Sequence, residues 1–253
     1  MGRSWGGICC MTFLSVDREL NYGRAQLDDL FQGFSQVRSA LDVGVGTGDD
    51  LIRLHAQHPG ARLMGVDFNP ANLGRVSERG IEPLCVNIER ERIPVDDESV
   101  DVVIANQVFE HLKEVFWCLH ECCRILAPGG QLVVGVPNLA SFHNRLLLLA
   151  GRQPTCIRTV GPHVRGFTKR DMLELVQSVS GGALEMQSFA GANFYPMPAV
   201  LAKPLASLLP NAAVTIFLSF REVGPYRAEF MERVKREPFE TNYFVGQHIQ
   251  TPA

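Results

Sequence analysis

The sequence predicts an α/β protein built on a largely parallel sheet with helices on both faces. Three observations carry that prediction: apolar runs of strand length alternate with helical patterns, a glycine loop follows the first run directly, and a carboxylate ends the second. Strands covered on both faces read as near-continuous apolar runs, whereas half-exposed antiparallel strands alternate. Ligands of such sheets sit at the carboxyl ends of the strands.

The first run, "SALDVG", is a buried strand, and residues 49 to 58 continue as a helix stopped by Pro59 and Gly60. "RLMGVDF" is the second strand; Asn69 and Pro70 open a helix to Arg79, with Gly80 as its stop. "PLCVNI" is the third strand and, after the polar loop "ERERIPVDDE", "SVDVVIANQ" is the fourth. Leu112, Val115, Phe116, Leu119, Cys122, Cys123 and Leu126 then recur at helical spacing, predicting one apolar face. "APGG" turns the chain into a fifth strand, "QLVVGVP". Beyond residue 137 the rhythm changes. A helix from Asn138 to Ala150, a loop interrupted by Gly and Pro to Gly166, and a helix from Thr168 to Ser178 follow. Two apolar strands, "GALEMQSFA" and "AAVTIFLSF", then bracket a Pro-rich helix.

With 253 residues, 46% of them hydrophobic, the chain can bury one large core, and a single domain over 1–253 is expected. A formal charge of -3 gives no general attraction to polyanions. The late basic residues Arg221, Arg227, Arg233, Lys235 and Arg236 are offset by Glu222, Glu229, Glu232 and Glu237, which reads as a solvated helix face. Seven cysteines without CxxC spacing predict thiols in a reducing, cytoplasmic compartment. Cys118, Cys122 and Cys123 lie near His120 but inside a helical apolar pattern, so they read as small hydrophobes and no metal is expected. The N-terminus lacks a long apolar stretch, and Gly6 stands where a myristoylation signal needs Ser or Thr. The uncharged run from Pro204 to Phe220 falls short of the roughly 20 residues that span a bilayer.

Gly44, Gly46 and Gly48 form G-x-G-x-G, with the third glycine one residue earlier than in the dinucleotide fingerprint. Asp49 and Asp50 follow at the helix start, where they suit the dipole but repel a pyrophosphate. No P-loop string is present. A cofactor with an ammonium end and no phosphate, such as S-adenosylmethionine, is compatible with those carboxylates. Asp67, at the end of the second strand, is placed to accept hydrogen bonds from ribose hydroxyls, a feature shared with NAD sites.

In "LDVGVGTGDDL", "MGVDFNP", "LCVNIERERIPVDDESVDVVIANQVFEHL" and "RILAPGGQLVVGVPN", in that order, the chain resembles the class I S-adenosylmethionine-dependent methyltransferases of the type 11/23 kind. The resemblance implies a Rossmann-like, seven-stranded sheet ordered 3-2-1-4-5-7-6, with "AAVTIFLSF" as an antiparallel seventh strand. It implies that Asp42, Gly44, Gly46 and Gly48 hold the methionyl end, and that Asp67 and Phe68 hold the ribose side. Asn87 stands where the family usually has an acidic residue for the adenine amino group; an amide oxygen still accepts that bond, without the gain from charge. Ile88 packs on the adenine in this reading, and Asn106 and Gln107 border the sulfonium. "LNYGRAQL" resembles a lid segment, making Tyr22 and Arg24 candidates for closing the site and pairing with the cofactor carboxylate. The chain then divides into a lid (1–36), a cofactor-binding core (37–137), an acceptor-covering insertion (138–200) and a C-terminal strand and tail (201–253).

For the acceptor, a small molecule is expected, with oxygen of a sugar or sugar-like, lipid-linked precursor preferred and a quinone precursor as the runner-up. His111, in "QVFEHL", is the favoured catalytic base, with His143, His163 and Arg165 of the inserted region as acceptor contacts. Nucleic acid is disfavoured: "ANQV" replaces the N-P-P-Y type of sequence, and no basic stripe carries interleaved aromatics. The uncharged run 204–220 and Phe194 to Pro198 read first as core packing, with contact to a lipid-linked acceptor as the alternative. Two readings of other kinds stay open at this point, an NAD-type oxidoreductase and a non-catalytic module that keeps the cofactor fold. Oligomeric state leaves no mark in the sequence.

Overall fold

The apolar run after Arg38 becomes Ser39–Val43 (β1), fully buried beyond Ser39, and Gly48 in the left-handed region turns the chain into Asp49–Gln57 (α2). It is preceded by Arg24–Gln32 (α1). The computed structural model describes residues 18–237, 239–240 and 243–246. The N-terminal stretch read for export and lipidation signals, with Cys9 and Cys10, lies outside the described residues.

Arg62–Asp67 (β2) leads into Pro70–Glu78 (α3), where Asn69 caps the helix by accepting from the Ala71 N–H and Pro70 occupies the first turn. Glu82–Cys85 (β3), Val100–Asn106 (β4), Val115–Ile125 (α4) and Leu126–Pro137 (β5) complete the first half. Phe142–Leu149 (α5), Lys169–Ser180 (α6), Leu184–Ala192 (β6), Ala199–Leu208 (α7), Thr215–Glu222 (β7) and Glu229–Arg236 (α8) follow. The sheet runs β3-β2-β1-β4-β5-β7-β6, with β7 antiparallel to both neighbours, the order expected from the sequence.

Successive strand residues face opposite sides of the sheet, and the core divides accordingly. Leu41 and Val43 pack with α4 and α6 residues such as Leu119, Cys122 and Val176, while Ala40 packs with Leu27, Phe31, Leu51 and Leu54 of α1 and α2. Cys118, Cys122 and Cys123 are buried in this core as thiols, as expected for small hydrophobes. On α8, Phe230, Met231 and Val234 are buried while Glu229, Glu232, Arg233 and Arg236 are exposed, so the late charges do form a solvated face.

Four boundaries differ from the sequence expectation, each for a local reason. "VNI" is not strand: Asn87 accepts the Glu89 N–H on its own side chain, a turn that ends β3 at Cys85. "APGG" is not a free turn, because β5 begins at Leu126 and pairs with β4 across a register shift between Val100 and Val102. Leu112 precedes α4 and follows a 3-10 turn at Phe109–His111. The helix after residue 137 starts only at Phe142, since the Asn138 amide donates to the Asn211 and Ala213 carbonyls and its oxygen accepts from Ala140 N–H.

Among the described residues no helix is long and apolar enough to cross a membrane. The run from Pro204 to Phe220 is divided: Thr215 to Phe220 are buried in β7, while Leu208 and Leu209 are exposed at the end of α7. Phe194 is buried, as core packing requires, whereas Tyr195 and Met197 remain partly exposed.

Candidate active site

The carboxyl ends of β1, β2 and β4 open into a two-lobed cleft. One lobe, about 420 Å³, is lined by Asp67, Phe68, Asn87, Ile88 and Val108; the other, about 560 Å³, by Tyr22, Arg24, Asp42, Gly46, Asp50, Glu110 and His163. Gly44, Gln107 and His111 line both, so they mark the junction.

The glycine loop has this composition for two separate reasons. Gly44 has φ +75°, and a Cβ there would stand 2.7 Å from Val108 Cγ2; Gly48 has φ +78°, and its Cβ would stand 2.6 Å from Ile81 Cδ1. Both positions exclude side chains by conformation and by contact. Gly46 is different, positive in φ but open above, which leaves its backbone accessible to a ligand. Gly44→Ala is therefore expected to destabilise the fold by about 1–3 kcal/mol, a loss that thermal denaturation reads directly.

Asp67 ties this loop to the neighbouring strand. Its Oδ2 accepts from Gly46 N–H at 3.3 Å and from Asn72 Nδ2 at 2.8 Å, and its Oδ1 accepts from Asn69 N–H at 2.8 Å. On the far side of the same lobe, Ile88 lies partly buried, while Phe68 is 75% exposed and offers a bare aromatic face to the cleft.

The other lobe is acidic. Asp42 is 4% exposed; burial first, then repulsion from Asp50 and Asp67, pushes its carboxyl well above the usual range. Burial also raises Asp50, against the hydrogen bond it accepts from Asn106 Nδ2 at 2.8 Å. Asp49 goes the other way: the hydrogen bond from Arg79 lowers it, helped by Arg24 Nη2 at 3.1 Å. A lobe with this charge accommodates a cation and disfavours phosphate.

Gln107 follows β4 in a left-handed conformation at φ +59°, with its N–H donating to the Gly135 carbonyl at 2.7 Å. Its Nε2 is buried without a partner, as are Asn106 Oδ1 and both carboxylate oxygens of Glu110. Strained backbone and unsatisfied buried polar atoms gathered at one cleft are features of a ligand site. Asn106 needs Gly135 beside it, because a Cβ there would lie 2.3 Å from Asn106 Oδ1.

Residues 41–134 match a family described as a methyltransferase domain. A probable S-adenosylmethionine-dependent methyltransferase of Mycolicibacterium smegmatis is 33% identical over 129 residues, 49% of this chain and 49% of that protein. Residues 41–134 are thus a methyltransferase domain of the class I S-adenosylmethionine-dependent kind. The human mitochondrial ubiquinone biosynthesis O-methyltransferase is 26% identical over 80% of this chain and 56% of its own length. The chain thus spans about half the length of the curated relatives it matches. For the methyltransferase fold itself, the N-methyltransferase NodS of Bradyrhizobium japonicum, solved with S-adenosyl-L-homocysteine, superposes with a TM-score of 0.55 at 19% identity, covering 82% of this chain and 87% of that one.

The cofactor of this family, S-adenosylmethionine, fits the residues present. It carries no phosphate, its cationic ammonium and sulfonium are compatible with an acidic lobe, and the open face of Gly46 leaves room for a ligand.

Of the residues the sequence pointed to, Tyr22, Arg24, Asp42, Gly44, Gly46, Asp67, Phe68, Asn87, Ile88, Asn106, Gln107, His111 and His163 all line the methyltransferase cleft. Gly48 lies behind it and shapes the turn. His143 is held elsewhere, with Nε2 at 2.8 Å from Thr155 Oγ1 and its ring against Tyr195. Arg165 is also drawn off: its guanidinium donates to the Leu112 and Lys113 carbonyls and lies over the Phe116 ring. Sequence reasoning noted Asp50 only as a carboxylate near the cofactor's ammonium end and gave Glu110 no role in the site. Glu110 stood directly beside His111 in "QVFEHL", but only its burial distinguishes it from an ordinary surface carboxylate.

Proposed function

We propose that the chain transfers a methyl group from S-adenosylmethionine to an oxygen of a small molecule, a sugar or sugar-like, lipid-linked precursor. The supporting observation is the two-lobed cleft, with Asp67, Asn87 and Ile88 lining one lobe, Asp42 and Asp50 the acidic other, and His111 at the junction. When bound, the cofactor supplies an electrophilic methyl on sulfur.

The chain's own part is positioning. Asp67 holds the ribose hydroxyls, Asn87 accepts from the adenine amino group, and Ile88 and Phe68 pack against the rings. Asp42 and the backbone at Gly46 hold the methionyl end. Tyr22 and Arg24 close over it, with Arg24 exchanging its half-buried Asp49 pairing for the cofactor carboxylate. Asn106 and Gln107 exclude water where the methyl group points, and His111 assists loss of the acceptor's proton.

His111→Ala is expected to lower turnover by about a hundredfold or more while S-adenosylmethionine affinity is kept. Transfer of labelled methyl into a panel of acceptors checks this; undiminished turnover on the true acceptor removes His111 from the reaction. The same panel decides the acceptor class. The human relative acts in ubiquinone biosynthesis, which favours a quinone precursor as the second reading; labelling of a catechol and not of a hexose derivative would select it. The partly exposed Tyr195 and Met197, with Leu208 and Leu209, fit a membrane-proximal acceptor. The described cysteines are all free thiols, in keeping with a cytoplasmic location.

A further inference from the structure

We propose that Glu110, His111 and His163 form a binding site for a divalent transition-metal cation on the acceptor side of the cleft. One donor atom from each, a carboxylate oxygen and two ring nitrogens, lies within 4.8 Å of the other two. The sequence directs the metal question to the cysteines of α4; the fold moves it here.

The two imidazoles are already in ligand form. His163 Nδ1 lies 2.7 Å from the Cys156 carbonyl and His111 Nδ1 lies 3.4 Å from the Pro162 carbonyl. A carbonyl only accepts, so each Nδ1 carries the hydrogen and each Nε2 keeps its lone pair. Backbone carbonyls that fix the tautomer in this way are the usual outer support of metal-bound histidine. The rings meet edge to face with centroids 4.6 Å apart, and His111 Nε2 stands 3.9 Å from Glu110 Oε1.

Glu110 supplies the independent observation. It is 1% exposed, and neither carboxylate oxygen has a hydrogen-bond partner. A carboxyl so placed is costly unless it is protonated or neutralised by a cation. Burial pushes Glu110 up to about 7. Burial, then repulsion from His163, lowers His111.

A cation at about 2.1 Å from each donor, with tetrahedral angles, draws the donors to about 3.4 Å from one another. Two imidazoles and one carboxylate suit zinc, cobalt, nickel or iron better than magnesium or calcium. Three protein ligands leave a coordination position open, and His111 lines both lobes, so that position faces the acceptor. There the cation binds the acceptor hydroxyl and lowers its pKa; the proton leaves to water, and the alkoxide oxygen takes the methyl group while sulfur keeps the electron pair of its broken bond to carbon. That role rests on the proposed methyl transfer; metal binding does not.

The test uses untagged, full-length protein freed of metal by a chelator and titrated with cobalt(II) without cofactor. One equivalent is expected to bind with visible ligand-field bands and no thiolate-to-cobalt charge transfer. Glu110→Gln and His163→Ala are each expected to weaken binding by about 100-fold or more, with S-adenosylmethionine affinity retained as the proof of folding. No cobalt binding by protein that binds S-adenosylmethionine, a thiolate band, or unchanged affinity in both folded variants overturns the site. Should either variant fail to fold, the wild-type titration and spectrum decide alone. Cobalt binding with turnover indifferent to metal removal overturns the polarising role. If no acceptor is ever methylated while cobalt binds as described, the fault lies with the methyl-transfer reading and the metal site stands.

Discussion

Replacing Asp67 by alanine is expected to weaken S-adenosylmethionine binding by at least about a hundredfold. Each hydrogen bond from a ribose hydroxyl to a carboxylate contributes about 1.5–3 kcal/mol, and two of them are lost together. The substitution also removes the acceptor for Gly46, Asn69 and Asn72, so the loop that faces the methionyl end loosens at the same time. Asp67→Asn separates the two effects, because its amide oxygen still accepts from the loop but has no charge; it is expected to lose less affinity than alanine. Titration calorimetry on both variants, with thermal denaturation alongside, measures each part. Unchanged affinity in Asp67→Ala would mean that the ribose assignment is wrong.

The second large effect lies far from chemistry. Arg124, 9% exposed near the end of α4, donates to both carboxylate oxygens of Glu121 at 2.8 and 2.6 Å and to the Ile93 and Val95 carbonyls. Glu121 is 1% exposed and also accepts the Ile93 N–H. Arg124→Met leaves that carboxylate buried without its counter-charge, which is expected to cost about 3–5 kcal/mol of stability. The exposed partner Asp97 adds little to this sum, since solvent screens it. Chemical denaturation reads the loss, and Arg124→Met combined with Glu121→Gln should recover part of it because the stranded charge is gone. A change below about 1 kcal/mol would place water beside Glu121. Cofactor affinity is expected to stay unchanged, as neither residue lines the cleft.

The inner strands were legible because β1, β2, β4 and β5 carry nearly unbroken apolar runs buried on both faces, while the strand order followed from the family resemblance. The strand ends were less legible. "VNI" reads as strand by propensity, yet one side-chain hydrogen bond at Asn87 stops β3 three residues early. Asn138 delays α5 in the same way, by contacts with residues more than seventy positions later that no local pattern reports. The cofactor cleft was legible for a related reason: Gly44, Gly46 and Asp67 sit at strand ends, where the fold dictates what they face. The residues read from the sequence as acceptor contacts, His143, His163 and Arg165, sit on the chain between Asn138 and Gly166, whose path is set by tertiary contacts. That is why His143 and Arg165 are drawn to other partners while His163, from the same stretch, meets His111. Glu110 shows the limit most clearly: a glutamate next to a histidine looks solvated in sequence, and only the packed structure leaves it buried and unpaired.

The account stands on the cleft being a methyl-donor site and not a dinucleotide site. Side-by-side calorimetric titration of the intact chain with S-adenosylmethionine and NAD tests it most directly. One equivalent of S-adenosylmethionine is predicted to bind, with no heat from NAD, because Asp42, Asp49 and Asp50 attract the ammonium end and repel a pyrophosphate. Tight NAD binding with no heat from S-adenosylmethionine would contradict the account.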